Sequence, residues 1–288
     1  MTTRCNTVLI TGASTGIGAA CARRLAAAGM RVYAGIRQAA DGAALHAQNP
    51  ALITPVHLDV TDAGSIAAAV ATLDAQLGDG GLGGLVNNAG IAIGGPLEVL
   101  PLDEIRRQFD VNVFGALAVS QAFLPQLRRA RGRIVNMGSI AGRIALPFLG
   151  PYCMSKSALR AMTHALRLEL DAWGIEVALV EPGAIATPIW KKSKAAADLL
   201  QDTLKNDTLA HYTRHLDSIR RVIARAEEQA ISADAVASAV EHALIATRPK
   251  TEYLVGNDAV MRAAINAVLP QFLQDRLHRW FFQFPRRP

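Results

Sequence analysis

The sequence predicts an α/β fold in which a central parallel sheet is covered on both faces by helices. Three observations carry that prediction. Short apolar segments recur at residues 7–11, 32–36, 53–58, 85–87, 133–137, 175–180 and 253–255. Amphipathic stretches of helical period lie between them, the alternation expected of parallel strands joined by crossover helices. The composition, 51% hydrophobic and 19% charged over 288 residues, supplies the side chains for one large core. No internal repeat and no Gly/Ser- or Pro-rich joint divides the chain. Alanine clusters such as Ala67-Ala68-Ala69 and Ala195-Ala196-Ala197 read as helix rather than linker. One domain spanning residues 1–288 is therefore expected.

The first strand, Thr7-Val8-Leu9-Ile10, runs directly into Thr11-Gly12-Ala13-Ser14-Thr15-Gly16-Ile17-Gly18. This Gly-x-x-x-Gly-x-Gly spacing differs from the Gly-x-Gly-x-x-Gly dinucleotide fingerprint. Its mechanics are still those of a phosphate turn. Gly12 permits a tight exit from the strand, Gly16 leaves room for backbone to approach a pyrophosphate, and Gly18 lets the next helix pack closely on the sheet. That helix, expected over residues 19–28, would present unpaired N–H groups and a positive dipole end to the anion. An ordinary strand-to-helix turn is the plainer alternative, and three glycines between an apolar strand and an amphipathic helix weigh against it.

A second motif carries proton chemistry. Tyr152 and Lys156 form a Tyr-x-x-x-Lys element, with Ser139 a short way upstream. If Tyr152 opens a helix, Lys156 sits one turn later on the same face. A free phenol, with a pKa of about 10, is a poor base near neutrality. A neighbouring ammonium is expected to lower that value, as is a cationic nicotinamide ring. Ser139 would hold the substrate oxygen while Tyr152 donates or removes its proton. A lone Tyr-x-x-x-Lys arises often by chance; beside Ser139 and the glycine turn it does not read as chance.

With these motifs in view the chain resembles the short-chain dehydrogenase/reductase family, through six separated motifs in order up to about Thr187. The resemblance implies a single doubly wound Rossmann domain with a central parallel sheet, a helical substrate lid and a C-terminal helical extension. It implies that Gly12, Ser14, Thr15, Gly16, Ile17 and Gly18 form the cofactor turn. Asp59 and Val60, in Leu58-Asp59-Val60-Thr61, would contact the adenine. Asn87-Asn88-Ala89-Gly90 is similar to the strand-four motif, so Asn88, Ala89 and Gly90 would support the cofactor. Asn112 matches the asparagine that holds a water beside the catalytic lysine. Ser139, Tyr152 and Lys156 match the remaining catalytic positions, with Tyr152 and Lys156 also touching the cofactor. Pro182, Gly183, Ile185 and Thr187 match the segment that meets the nicotinamide carboxamide. The implied activity is reversible hydride transfer between a nicotinamide dinucleotide and an alcohol/carbonyl pair.

The choice of dinucleotide rests on the second strand, Arg31-Val32-Tyr33-Ala34-Gly35-Ile36-Arg37. NAD-type sites place a carboxylate there for the adenine ribose. Here Arg37 follows the strand instead, and a guanidinium grips a 2′-phosphate with parallel hydrogen bonds. NADP(H) is therefore expected over NAD(H), although Thr15 is neutral where some NADP-using relatives carry a second basic residue. An acid at Gly35 is expected to move preference toward NAD. The alternatives are an NAD-dependent alcohol dehydrogenase working oxidatively with the same residues, and a dinucleotide-sensing regulator without turnover. The full Asn112, Ser139, Tyr152, Lys156 set argues against a pure sensor, which needs no proton path.

Residues 188–231 read as a helical lid whose apolar residues, among them Ile189, Trp190, Leu199, Leu204, Leu216 and Ile223, are scattered among charges. That length, with Tyr33–Arg37 and Tyr253-Leu254-Val255-Gly256, resembles the hydroxysteroid and retinol dehydrogenase branch and implies a bulky, lipophilic alcohol or ketone. In the C-terminal extension, residues 257–288, Leu273, Leu277, Trp280, Phe281 and Phe284 recur at helical spacing. The stripe is expected to bury itself against the enzyme's own body or a second subunit, a dimer being the common state. A helix lying on a membrane surface is the alternative.

Other features exclude more than they assign. Cys5, Cys21 and Cys153 are scattered, and Cys153 beside Tyr152 is expected to be a small buried side chain rather than a nucleophile. His211 and His215 stand at i, i+4 without a third ligand, so no metal is expected. The net charge of +6 comes from dispersed basic residues without aromatic platforms, which points away from nucleic acid. About five residues precede the first strand and no apolar run reaches about 20 residues. A cytoplasmic protein without a leader or spanning helix is expected.

Overall fold

The computed structural model describes residues 6–188 and 211–282. Its strands are β1 (Thr7–Ile10), β2 (Arg31–Ile36), β3 (Ile53–His57), β4 (Gly84–Asn87), β5 (Arg133–Met137), β6 (Glu176–Pro182) and β7 (Glu252–Val255). All pair in parallel in one sheet of order β3-β2-β1-β4-β5-β6-β7. Each expected strand is present, its bounds moved by two residues or fewer.

The helices among the described residues are α1 (Gly16–Ala27), α2 (Ala39–His46), α3 (Ala63–Leu77), α4 (Leu102–Phe109), α5 (Ala116–Ala130), α6 (Gly150–Glu169), α7 (Thr213–Glu228), α8 (Ala233–Ile245), α9 (Asn257–Val268) and α10 (Gln271–Phe281). Strand alternation sorts the core into two layers. Val8 and Ile10 join Leu25 of α1 and Val236 and Val240 of α8 on one face. Leu9 and Tyr33 join Leu73 of α3, Phe123 and Leu127 of α5 and Leu166 of α6 on the other. Both faces of every central strand are dry, which explains the near-continuous apolar runs in the sequence.

The topology creates the working edge. From β1 the chain builds outward to β3, then crosses back to β4 on the other side of β1. The connections therefore diverge between β1 and β4, and a crevice opens at their carboxyl ends. A second device ties the other half together. Glu181 of β6 is fully buried; burial pushes its carboxyl up, while Arg143 beside it pulls the other way. Arg143, just after β5, donates from Nε to Glu181 Oε2 at 2.7 Å and also pairs with Glu252 of β7. Arg160 of α6 reaches Glu252 at 2.9 Å and Glu181 at 3.5 Å. Two cations and two anions thus bind the loop after β5, the helix α6, and strands β6 and β7. Removing one member would leave a buried charge uncompensated.

One expectation lies largely outside the described residues, and another changes. Of the lid at 188–231, residues 189–210 lie outside the described residues; the remainder carries α7. The C-terminal stripe is not buried against the chain's own body. No residue of α10 is buried, and Leu273, Leu277, Trp280 and Phe281 are all exposed. Phe284 lies outside the described residues. Periodicity fixes that a stripe exists, not which way the helix turns it.

Candidate active site

The glycine turn is held open by close approaches that only glycine allows. Gly12 and Gly16 adopt φ of 64° and 57°, in the left-handed region. A Cβ on Gly12 would stand 2.9 Å from the Ala89 Cα, and one on Gly18 would overlap the Gly12 carbonyl and stand 2.5 Å from Asn88 Nδ2. Gly18 is therefore the packing glycine beneath the turn, while Gly12, Ser14, Thr15, Gly16 and Ile17 line the cavity above it. At the N-cap of α1, Thr15 makes no capping bond with its side chain, so the helix's first N–H groups are not satisfied from there. Main-chain groups left open at Gly12 and Gly16, at a helix N-terminus, fit a dinucleotide pyrophosphate.

This turn is clamped to the strand-four motif. Thr11 Oγ1 accepts hydrogen bonds from the backbone N–H of Asn88 and of Ala89, both at 2.9 Å. Asn88 Nδ2 returns bonds to the carbonyls of Thr11 at 2.9 Å and Gly12 at 3.0 Å. Four bonds thus cross the point where strand order reverses. Asn88, Ala89 and Gly90 all line the cavity.

Where the sequence places the adenine, Arg37 is exposed at the carboxyl end of β2 and lines the cavity with Asp59 and Val60. Partial burial works to raise the Asp59 carboxyl, but bonds from Thr61 and the charges of Arg37 and His57 outweigh it and hold it below the usual range. Thr61 donates to Asp59 Oδ1 from its backbone N–H at 3.0 Å and its hydroxyl at 2.7 Å. Asp41, in the first turn of α2, lines the same end of the cavity. The sequence reading missed it because it lies beyond the strand. The expectation for an acid at Gly35 fails sterically. A Cβ there would stand 2.9 Å from the Ile10 carbonyl and 3.1 Å from the Leu58 side chain, so this glycine is required by the β1–β2 approach.

The proton-handling residues converge as their spacing implied. Tyr152 and Lys156 stand one turn apart on α6. The Ser139 hydroxyl hydrogen-bonds the Tyr152 phenol; burial raises the phenol's pKa, and the bond to Ser139 opposes it. Lys156 is buried, its Nζ 5.8 Å from the centre of the Tyr152 ring and donating to the Met137 carbonyl at 2.7 Å. Burial pulls the Lys156 ammonium down to about 8. Against the lowering expected from a neighbouring ammonium and a cationic nicotinamide ring, burial raises the Tyr152 phenol. Desolvation wins because both groups sit in one dry wall.

Asn112 does not line the cavity but stands directly behind it. It occupies a widened π-type turn, Asp110–Gly115, between α4 and α5, the kind of helix defect that recurs at functional sites. Its Oδ1 accepts from Ile91 N at 2.8 Å, and its Nδ2 donates to Ile91 O at 2.9 Å and Ser155 Oγ at 3.0 Å. Both amide protons are used, so the side chain braces the loop after β4 against α6. A water beside Lys156 would have to use an acceptor on this residue, not a side-chain donor. Cys153 is a buried free thiol, as expected.

Pro182, Gly183, Ile185 and Thr187 return toward the glycine turn, and a Cβ on Gly16 would stand 3.3 Å from the Thr187 Cβ. This segment has an anchor that sequence reading missed. Asp258, in the first turn of α9, accepts from Ala184 N at 2.9 Å, and its carboxylate fills the space where Gly183 lacks a side chain. Together these parts enclose a cavity of about 790 Å³, walled on its far side by Phe148, Leu149, Leu216, Ile219 and Ile223. Phe148 has a φ of 64°, a strained value for a bulky residue. Its ring meets Tyr212 edge-on at 5.9 Å, which joins the lid helix to the catalytic side. Among the described residues no His, Cys, Asp or Glu cluster of metal-site form is found.

Comparison with known proteins agrees with this geometry. The family model described as short chain dehydrogenase matches residues 6–198. Human retinol dehydrogenase 16 is 36% identical over 285 residues, covering 97% of this chain and 90% of its own. The NADPH-dependent 3-dehydrocapnine reductase of Ornithobacterium rhinotracheale is 33% identical, covering 93% of this chain and 94% of its own. A short chain dehydrogenase from Burkholderia cenocepacia, solved in complex with NADP, superposes with a TM-score of 0.73 at 28% identity, over 96% of this chain and 99% of that one. The fold, the glycine turn and the extent of these matches lead to one conclusion: the chain belongs to the short-chain dehydrogenase/reductase family, in its retinol and hydroxysteroid dehydrogenase-like branch, and is an NAD(P)-dependent oxidoreductase acting on CH–OH and C=O groups.

Proposed function

We propose that the protein interconverts a bulky lipophilic ketone or aldehyde and its alcohol, using NADP(H) in preference to NAD(H). The observation that carries this reading is that Ser139, Tyr152 and Lys156 open onto the same cavity as the glycine turn and Arg37. When bound, the dinucleotide supplies or accepts the hydride. The chain's own residues handle everything else. Ser139 orients the substrate oxygen. Tyr152, protonated at neutral pH because burial raises it, donates its proton to the oxygen in the reductive direction. Lys156 holds the ribose and adds positive charge beneath the phenol, and Asn112 braces the proton-supply route. Arg37 binds the 2′-phosphate.

Support for a lipophilic substrate comes from the apolar far wall of the cavity. Retinol dehydrogenase 16 and 17-beta-hydroxysteroid dehydrogenase type 6 of human, both relatives, are named for lipophilic alcohols. Asp41 is the observation that favours the NAD reading, since a carboxylate there is placed to accept from a ribose hydroxyl. The exposed guanidinium of Arg37 outweighs it in this proposal.

Three measurements test the reading. Tyr152→Phe is expected to keep fold and cofactor binding but lower turnover on the order of 10³-fold, whereas Ser139→Ala should lose roughly tenfold to thirtyfold, the worth of one hydrogen bond. Near-normal turnover in Tyr152→Phe would overturn the proton path. Arg37→Ala should weaken NADPH by about 10- to 100-fold, as expected for charge-assisted bonds, and leave NADH within about twofold. Equal loss for both would make Arg37 structural.

The third measurement concerns Lys156, whose folded pKa of about 8 lies below its ordinary 10.5. Between those values the unfolded chain binds more protons than the folded one, so stability rises with pH there. The contribution is full above the unfolded value and is lost as pH falls through the folded one. The span is worth about 3 kcal/mol, and Lys156→Met should abolish that rise in melting temperature. An unchanged profile would mean the ammonium is not desolvated.

A further inference from the structure

Helix α10 is turned the wrong way round for a soluble surface. Its polar residues Gln274, Asp275 and His278 are the half-buried ones, facing the protein. Gln274 Nε2 donates to the carbonyls of Leu269 at 2.8 Å and Asn266 at 3.3 Å, and burial pulls the His278 imidazole down. Its apolar residues face outward: Phe272 is 68% and Trp280 74% exposed, with Leu273, Leu277 and Phe281 beside them. Val268, just before the helix, and Met261 are exposed as well. A helix of ordinary amphipathicity would show the reverse.

Charge and position indicate what covers this face. Arg276 stands one turn from Phe272 and one turn from Trp280, so a cation sits within the apolar row and is itself exposed. Against a second apolar protein face that guanidinium would be buried without a partner; at a lipid surface its stem lies in the apolar layer and its head reaches phosphate. Residues 271–288 contain four arginines, one aspartate and no glutamate, with four of the chain's eight phenylalanines and one of its three tryptophans. That mixture of basic and aromatic residues suits an anionic membrane interface. The face also adjoins the cavity. Phe282, which directly follows α10, is buried and lines the cavity with Arg262, and Arg262 lies over the Phe281 ring at 5.7 Å.

We propose that α10 lies on an anionic membrane surface, its row of Phe272, Arg276 and Trp280 entering the headgroup layer, with the substrate cavity opening beside it. The cavity's use for a lipophilic substrate rests on the function proposed above; the docking itself does not. The test is flotation of the full-length protein with phosphatidylcholine vesicles, with and without phosphatidylglycerol. The wild type is expected to float with the anionic vesicles and not with the neutral ones. The double variant Phe272→Glu/Trp280→Glu is expected to lose at least about tenfold of that partitioning, with melting temperature and NADPH binding unchanged. Arg276→Glu should lose the dependence on anionic lipid. A wild type that stays with the unbound protein at every composition overturns the proposal. So does a double variant that converts a dimer to a monomer in sedimentation, which would make the face a subunit contact. NADPH binding and turnover, followed separately, report failure of the functional reading.

Discussion

Four hydrogen bonds between Thr11, Gly12, Asn88 and Ala89 hold the carboxyl ends of β1 and β4 at a fixed separation. The site depends on that clamp. It sits where strand order reverses, so the two neighbouring connections leave in opposite directions and cannot close the gap between them. The glycine turn then has nowhere to go but around the crevice, with Gly18 packed against Asn88 and Gly12 against Ala89. Gly12 and Gly16, without side chains, leave main-chain groups open toward the cavity beside Ser14, Thr15 and Ile17.

Behind the cavity, the segments after β5 and β6 are held together by charge. Arg143, Arg160, Glu181 and Glu252 join the Ser139 loop, the Tyr152 helix and the strand leading into Pro182 and Gly183. Buried pairs of this kind add little net stability, since desolvation offsets most of their attraction. Their value here is geometric: three separate segments that line the cavity are tied to one another a few residues away from it. Asp258 extends the same logic to the segment after β6 by taking the room Gly183 leaves.

What was legible in the sequence, and what was not, follows from the range of the forces involved. The seven strands and the glycine turn are local, written in apolar runs and in residues that only a left-handed backbone requires. The Ser139, Tyr152 and Lys156 set was visible because two of its members are a helical turn apart. Asp41, Asp258 and Phe148 were not, because their parts in the cavity arise from contacts between segments distant along the chain. The Lys156 spacing was read correctly, yet its electrostatic effect was not: one turn of helix says nothing about burial, and burial raises Tyr152 while lowering Lys156. The stripe on α10 was equally clear in the sequence. Its outward direction goes with Gln274 bonding to the end of α9 and His278 half-buried beside it, which periodicity alone cannot order.

The clamp at the strand-order reversal is the most direct point of attack. Titration of NADPH fluorescence with wild type and with Asn88→Ala, each checked for an unchanged circular dichroism spectrum, reads it without needing a substrate. Losing two side-chain donors to the Thr11 and Gly12 carbonyls should relax the turn and weaken NADPH by at least about tenfold, since each hydrogen bond contributes about 1 kcal/mol. Wild-type affinity in a folded Asn88→Ala protein would contradict a cofactor crevice built on this clamp.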